Sequence, residues 1–195
     1  MSLDEPFKLV SLAIDSDEYK EVSAYYRFHG AAGNIHNIER VQNRALYQQF
    51  IAKKREIDFR NPSNKNEVPL FHGSDFTAVN DINKTGFNRS YCGKNATVFG
   101  LGVYFAQSSA YSEQYASPDA NGLRKLYQAR VLVGVSVITD SNTKYLPKQP
   151  GSDIPYDSGR APASRTEGIH IIFHDSQAYP EYIITFSLPM GHVAP

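Results

Sequence analysis

The sequence has no tryptophan and a single cysteine, Cys92, among 195 residues. A lone cysteine excludes an intrachain disulfide and a multi-cysteine metal site, and it suits a reducing compartment, cytoplasmic or nuclear. Net charge is missing too: 20 basic and 20 acidic residues cancel to zero. The composition therefore carries no footprint of a polyanion partner. No apolar run approaches the roughly 18 residues of a membrane span, and the first residues do not read as a signal peptide. The glycines miss two phosphate-binding patterns. Gly100 and Gly102 lack a third glycine, and the strand-like Val103-Tyr104-Phe105 follows where a Rossmann helix would open. Gly93-Lys94 runs into Asn95 and lacks the upstream glycine of a Walker A loop.

What is present suits a globular domain. Hydrophobic residues make up 41% and charged residues 21%, with 13 Tyr and 11 Phe. A chain of this size buries about 70% of its unfolded surface and can hold a core without staples. Residues 7–14 read as a strand. Ser16 or Asp17 caps a helix with Val22, Tyr25, Tyr26 and His29 on one stripe. Residues 34–41 read as a strand, and Asn43 caps a longer helix carrying Leu46, Phe50, Ile51 and Ile57 at helical spacing. Strands are expected at 68–73 and 103–106, and short helices at 78–84 and 108–115. Between them lies a long loop, 87–102, of the kind that is usually functional. Residues 125–138 read as strand-rich with a bend at Gly134, 145–164 as loop, and 168–173 and 182–186 as strands separated by a spacer holding Pro180. Short strands and helices in irregular order, with a strand-rich second half, indicate an α+β fold.

Phe71-His72-Gly73, Gly86-Phe87-Asn88-Arg89-Ser90, Gly93-Lys94-Asn95-Ala96, Gly100-Leu101-Gly102-Val103-Tyr104-Phe105-Ala106, Arg130-Val131-Leu132 and the run from Phe173 to Tyr182 stand together. This set resembles the catalytic domain of the poly(ADP-ribose) polymerase family, and within it the mono-transferring branch. The resemblance implies a diphtheria-toxin-like ADP-ribosyltransferase fold, with split, mostly antiparallel sheets around an NAD cleft and short flanking helices. It implies one catalytic domain over residues 1–195, without the all-helical regulatory domain of the polymerising members. NAD is the expected co-substrate and no metal is expected. The expected partners are protein acceptors, the chain itself among them. Nucleic-acid ends serve as acceptors for some members, but nothing in this sequence indicates them.

The resemblance also implies a site. His72 matches the first triad residue, which bonds the nicotinamide-side ribose. Gly73 matches the glycine whose backbone holds the nicotinamide amide, and Ser112 the serine that bonds the same amide. Tyr104, the second triad residue, and Tyr115 match the two aromatic walls, and Phe105 and Ala106 accompany Tyr104. Ser74, Asn88 and Arg89 match the adenosine and diphosphate side. The third triad position, a glutamate in polymerising members, falls on Ile169. Glu167, two residues away, is the competing alignment; on a strand it would sit about 6–7 Å off. Ile169 has no acceptor for a hydroxyl proton, so the triad His72-Tyr104-Ile169 implies transfer of a single ADP-ribose, with aspartate or glutamate as acceptor.

Blander readings exist for each residue taken alone. A histidine at a strand end is often structural, two tyrosines are often core, and a serine often decorates a helix. Cys92 has no neighbouring base in sequence and reads as an ordinary loop thiol. His170 and His174 would pair on a metal if helical, but their segment reads as strand. Lys53-Lys54-Arg55 reads as a solvated helix face. Two other function classes compete: a catalytically dead interaction module, and a glycohydrolase that delivers ADP-ribose to water.

Overall fold

The computed structural model describes residues 6–91, 97–163 and 168–189. Among these, nine strands form one hydrogen-bonded order: β1 (Lys8–Ser11), β2 (Asn34–Gln42), β9 (Ala178–Ser187), β5 (Arg124–Leu132), β3 (Glu67–Gly73), β4 (Val103–Ala106), β8 (Ile169–Ile172), β7 (Ser158–Arg160) and β6 (Ser136–Ile138). All pairings are antiparallel except β6 with β7. The helices are α1 (Asp17–Phe28), α2 (Arg44–Arg60), α3 (Val79–Thr85) and α4 (Ser109–Glu113). The fold is α+β, with helices flanking an antiparallel sheet, as its sequence pattern indicates.

The split is a seam rather than a gap. β3 pairs with β5 over seven residues and β4 with β8 over four, but β3 and β4 share only Phe71↔Ala106. The next amide of β4's chain, Gln107 N–H, goes instead to the Gly168 carbonyl at 2.8 Å. Past Phe71 the two halves part, and a cleft opens between them.

Alternation along the strands buries both faces. Neighbours such as Leu70 and Phe71, Leu126 and Tyr127, and Ile183 and Ile184 fall into different core clusters. On one face Val22 and Tyr26 of α1 pack on Ile38, Phe71, Leu126 and Phe186. On the other, Val79 and Phe87 pack on Leu70, Phe105 and Tyr127. Caps fix the helix starts. Ser16 accepts the Tyr19 amide at 3.2 Å, Asn43 the Leu46 amide at 3.1 Å, and Ser108 the Tyr111 amide at 3.1 Å. The Asn43 side-chain amide also donates to the Asn83 carbonyl at 2.9 Å, tying the start of α2 to the end of α3.

Two expectations are corrected. Residues 145–164 are not all loop, because β7 lies within them and pairs with β6 and β8. Pro180 is not in a spacer but inside β9. It is tolerated there because the β5–β9 register skips between Gln128 and Arg130, so no ladder bond needs its missing N–H. Gly134 does bend the chain, with φ +48° between β5 and β6. Cys92, Glu167 and the Gly93-Lys94-Asn95-Ala96 motif lie outside the described residues.

Candidate active site

The parted strands and the segments around them line a cleft of about 420 Å³. His72, Gly73, Ser74, Asn88, Tyr104, Phe105, Ala106, Ser112, Tyr115 and Ile169 all border it. Arg89 does not. Its amide donates to the Asp175 carboxylate at 3.0 Å and its guanidinium to the Phe173 carbonyl at 3.2 Å, so it anchors the start of the 87–102 loop to the segment after β8.

Pro69 sets the edge that Gly73 uses. A proline has no N–H for a ladder, so in a strand its nitrogen faces away from the bonded neighbour. β5 covers β3 throughout, so Pro69 turns its backbone groups to the opposite edge, where its carbonyl accepts the Tyr25 hydroxyl at 2.8 Å. Gly73 is an even number of residues further on and turns its N–H and C=O the same way, past the contact with β4 and over the cleft. Glycine is required by packing. A Cβ there would lie 2.0 Å from the Ser112 carbonyl oxygen, 3.0 Å from the Tyr115 Cβ and 3.1 Å from the Ala116 nitrogen. The pressure on this position thus comes from α4 and the turn after it.

His72 bridges the seam. Its Nδ1 lies 2.8 Å from the Tyr104 carbonyl, which can only accept, so Nδ1 carries the proton and Nε2 is an acceptor. Phe87 and Phe105 hold the ring, with centroids at 5.1 and 5.4 Å. Burial lowers the His72 pKa below its ordinary value, outweighing the bond to Tyr104, so the neutral form prevails at neutral pH.

Tyr104 fastens the loop above the cleft. Its hydroxyl accepts the Phe99 amide at 2.8 Å and donates to the Gly100 carbonyl at 2.9 Å. Thr139 donates to the Phe99 carbonyl at 2.7 Å, and the Leu101 amide to the Thr143 carbonyl at 2.9 Å. Ile169, 2% exposed, sits with Phe99, Ala106, Ile171 and Phe173, and Tyr104 and Tyr111 pack against them. Its side of the cleft is apolar.

α4 is held from behind. Buried Glu113 accepts the Tyr26 hydroxyl and the Gly33 amide, the latter at 3.1 Å. This carboxylate is structural. Ser112 is buried and Tyr115 is 40% exposed beyond the helix end. Three cleft features escaped sequence reasoning. Phe87 lay inside a recognised motif with no role given. Tyr111 sits one residue before Ser112, a spacing that could have flagged it. Asp75 and Asp81 border the cleft with no sequence signal beyond their proximity to His72.

Among the described residues no three His, Cys, Asp or Glu side chains converge as metal ligands, and no helix is long and apolar enough to cross a membrane. His170 lies on β8, whereas His174 has left the strand and precedes a 3-10 turn. Lys53 and Lys54 are half-buried and pair with Glu56 and Asp58 at 2.9 Å, and Lys54 reaches Glu67 of β3 at 3.4 Å, so of the expected solvated face only Arg55 is exposed.

Residues 16–188 match the family model of the poly(ADP-ribose) polymerase catalytic domain. The chain is 39% identical over 187 residues to human protein mono-ADP-ribosyltransferase PARP14, covering 92% of this chain and 10% of that protein. It is 35% identical to mouse protein mono-ADP-ribosyltransferase PARP10, covering 94% of this chain and 20% of that one. Human protein mono-ADP-ribosyltransferase PARP12 is 33% identical, with 94% and 26% covered. The chain thus spans a tenth to about a quarter of these relatives' length.

Proposed function

The chain belongs to the poly(ADP-ribose) polymerase catalytic-domain family, and from that premise we propose that it binds NAD in this cleft and transfers a single ADP-ribose to a protein side chain. The observation that carries the reading is one cleft bordered by His72, Gly73, Tyr104, Ser112, Tyr115 and an apolar Ile169. The names of the relatives, all mono-ADP-ribosyltransferases, support single transfer.

Each residue has a physical part in this reading. The nicotinamide ring lies between Tyr104 and Tyr115, which orient it at little entropic cost. Its amide meets the backbone N–H and C=O of Gly73 and the Ser112 hydroxyl. A ribose hydroxyl donates to His72 Nε2, the acceptor left by the bond from Nδ1 to Tyr104. With the ring and ribose fixed, the bond between ribose C1′ and nicotinamide nitrogen breaks, and nicotinamide leaves neutral with the electron pair. Positive charge develops on the ribose and is relieved as an acceptor oxygen bonds C1′.

Ile169 determines which acceptors succeed. Growth of a chain needs a ribose hydroxyl as nucleophile, and that hydroxyl needs a base or fixed acceptor within about 2.6–3.2 Å. An isoleucine provides neither. An aspartate or glutamate, with a reference pKa near 4, is already ionised and attacks unaided, forming an ester. Each acceptor is consumed in one turnover.

The test is incubation with NAD, followed by gel mobility and mass analysis of the protein and added substrates. Discrete single ADP-ribose additions are expected. A ladder cut by an enzyme specific for ribose–ribose bonds would overturn single transfer. Free ADP-ribose with no modified protein would make the chain a glycohydrolase. No binding of a non-hydrolysable NAD analogue would leave an interaction module.

A further inference from the structure

We propose that Tyr111 is a positioning residue whose hydroxyl fixes the Tyr115 ring as the outer wall of the nicotinamide pocket before any ligand arrives. This inference rests on the reading of the cleft as an NAD site and adds a residue to it.

The need for such a device is visible in the backbone. α4 has five residues, Ser109–Glu113, and Tyr115 lies beyond its end. The turn that carries it is held by the Tyr115 amide to the Ser112 carbonyl at 3.1 Å and the Ala116 amide to the Glu113 carbonyl at 3.2 Å. Those bonds fix the main chain and leave the side-chain torsions free. The ring is 40% exposed, so packing alone grips it weakly. A wall that wanders must be ordered by the ligand, and that ordering is subtracted from affinity.

Tyr111 supplies the missing constraint. It precedes Tyr115 by four residues, and the two rings meet at 5.2 Å between centroids and 52° between planes. At the far end, the Tyr115 hydroxyl donates to the Tyr111 hydroxyl at 2.9 Å. Tyr111 is the firmer of the two. It packs against the cluster of Phe99, Ala106, Ile169 and Phe173, which belongs to the β4–β8 side of the seam. Burial and the bond from Tyr115 push its pKa above the ordinary phenol value, so Tyr111 stays neutral and keeps its part in the bond throughout the neutral range. The exposed wall is thereby anchored, through one hydroxyl, to the apolar side of the cleft that contains Ile169.

The test uses Tyr111→Phe, Tyr115→Phe and the double variant. The readouts are the benzamide dissociation constant by calorimetry, KM and kcat for NAD, and the melting temperature. Losing one neutral hydrogen bond should weaken benzamide binding and raise the NAD KM roughly three- to tenfold in each single variant. kcat should change less than twofold, because the bond orders ground state and transition state alike. The double variant should be no worse than either single, since both remove the same bond. Unchanged benzamide affinity in Tyr111→Phe, or additive losses in the double variant, would overturn the proposal. If the wild-type protein itself bound no benzamide, the NAD reading would fail first and this inference with it, an outcome seen before any variant is made.

Discussion

Gly73→Ala tests the packing of the cleft through a single methyl group. The added carbon would lie 2.0 Å from the Ser112 carbonyl oxygen. That neighbour is main chain and cannot rotate away. To reach tolerable contact, α4 and the turn after it must retreat by about 1 Å, and overpacking of this kind costs about 1–3 kcal/mol. For a domain of this size each kcal/mol lowers the melting temperature by about 2–4 °C, so a fall of roughly 2–12 °C is expected. The functional loss should be larger in proportion. The shifted segment carries Tyr111, Ser112 and Tyr115, and misplacement by about 1 Å can cost on the order of 10²-fold in rate. The assay is initial transfer from labelled NAD well below the variant's melting temperature, alongside a thermal melt. A rate within a few-fold of wild type, at any melting temperature, would refute the reasoning: α4 would not be what positions the pocket.

Ile169→Glu should yield single ADP-ribose additions and no chains, because a base does not create a binding site for the growing end; mass analysis that found polymer would count against this. The same variant should melt lower, since the position is 2% exposed and surrounded by Phe99, Ile171 and Phe173. The pH dependence follows from His72, whose pKa burial lowers below its ordinary 6.5. Below pH 6.5 the unfolded chain takes up a proton that the folded one refuses, so stability falls as pH drops from 6.5 toward the folded pKa and is unaffected by this group above 6.5. Burial lowers His29 and His170 in the same direction, so the His72 share is read as the difference in slope between wild type and His72→Gln. Equal slopes between pH 7 and 5 would remove His72 from the account.

Local chemistry was the most legible part of the sequence. Asn43 caps its helix as read, and of the two candidates Ser16 and Asp17 it is Ser16 whose side chain does so. Strand β4 has the predicted bounds, Val103–Ala106. Long-range pairing was not legible. β7 has only three residues, Ser158–Arg160, without apolar alternation, and it is a strand because β8 and β6 lie beside it. Pro180 argued for a spacer because the bulge that excuses it, with residues 180 and 181 of β9 opposite Ala129 alone, exists only through pairing with the distant β5. At the site, recognised motifs brought His72, Tyr104 and Ile169 to one cleft, although they are far apart in the chain. Arg89 was read by motif as a ligand contact, whereas its bonds to Phe173 and Asp175 hold the loop. Tyr111 was missed because a tyrosine beside a recognised serine looks ordinary until a hydroxyl is found opposite it.

The seam between β3 and β4 has a consequence for how the domain can vary. His72 and Gly73 belong to one paired block, Tyr104 and Ile169 to the other; one residue pair, one imidazole and the shared core of Leu70, Phe105, Tyr127 and Ile172 join them. Neighbouring residues in a continuous sheet constrain one another through shared packing, so changes there have to be compensated locally. Across this junction the constraint comes from that core, because the backbone ladder supplies only one pair. Rim residues outside that core can vary, altering what approaches from the Ile169 side, while the wall that carries Gly73 keeps its shape. A molecule lying in the cleft would touch the rims of both blocks at once, so such variation would change how it is held without disturbing the core beneath.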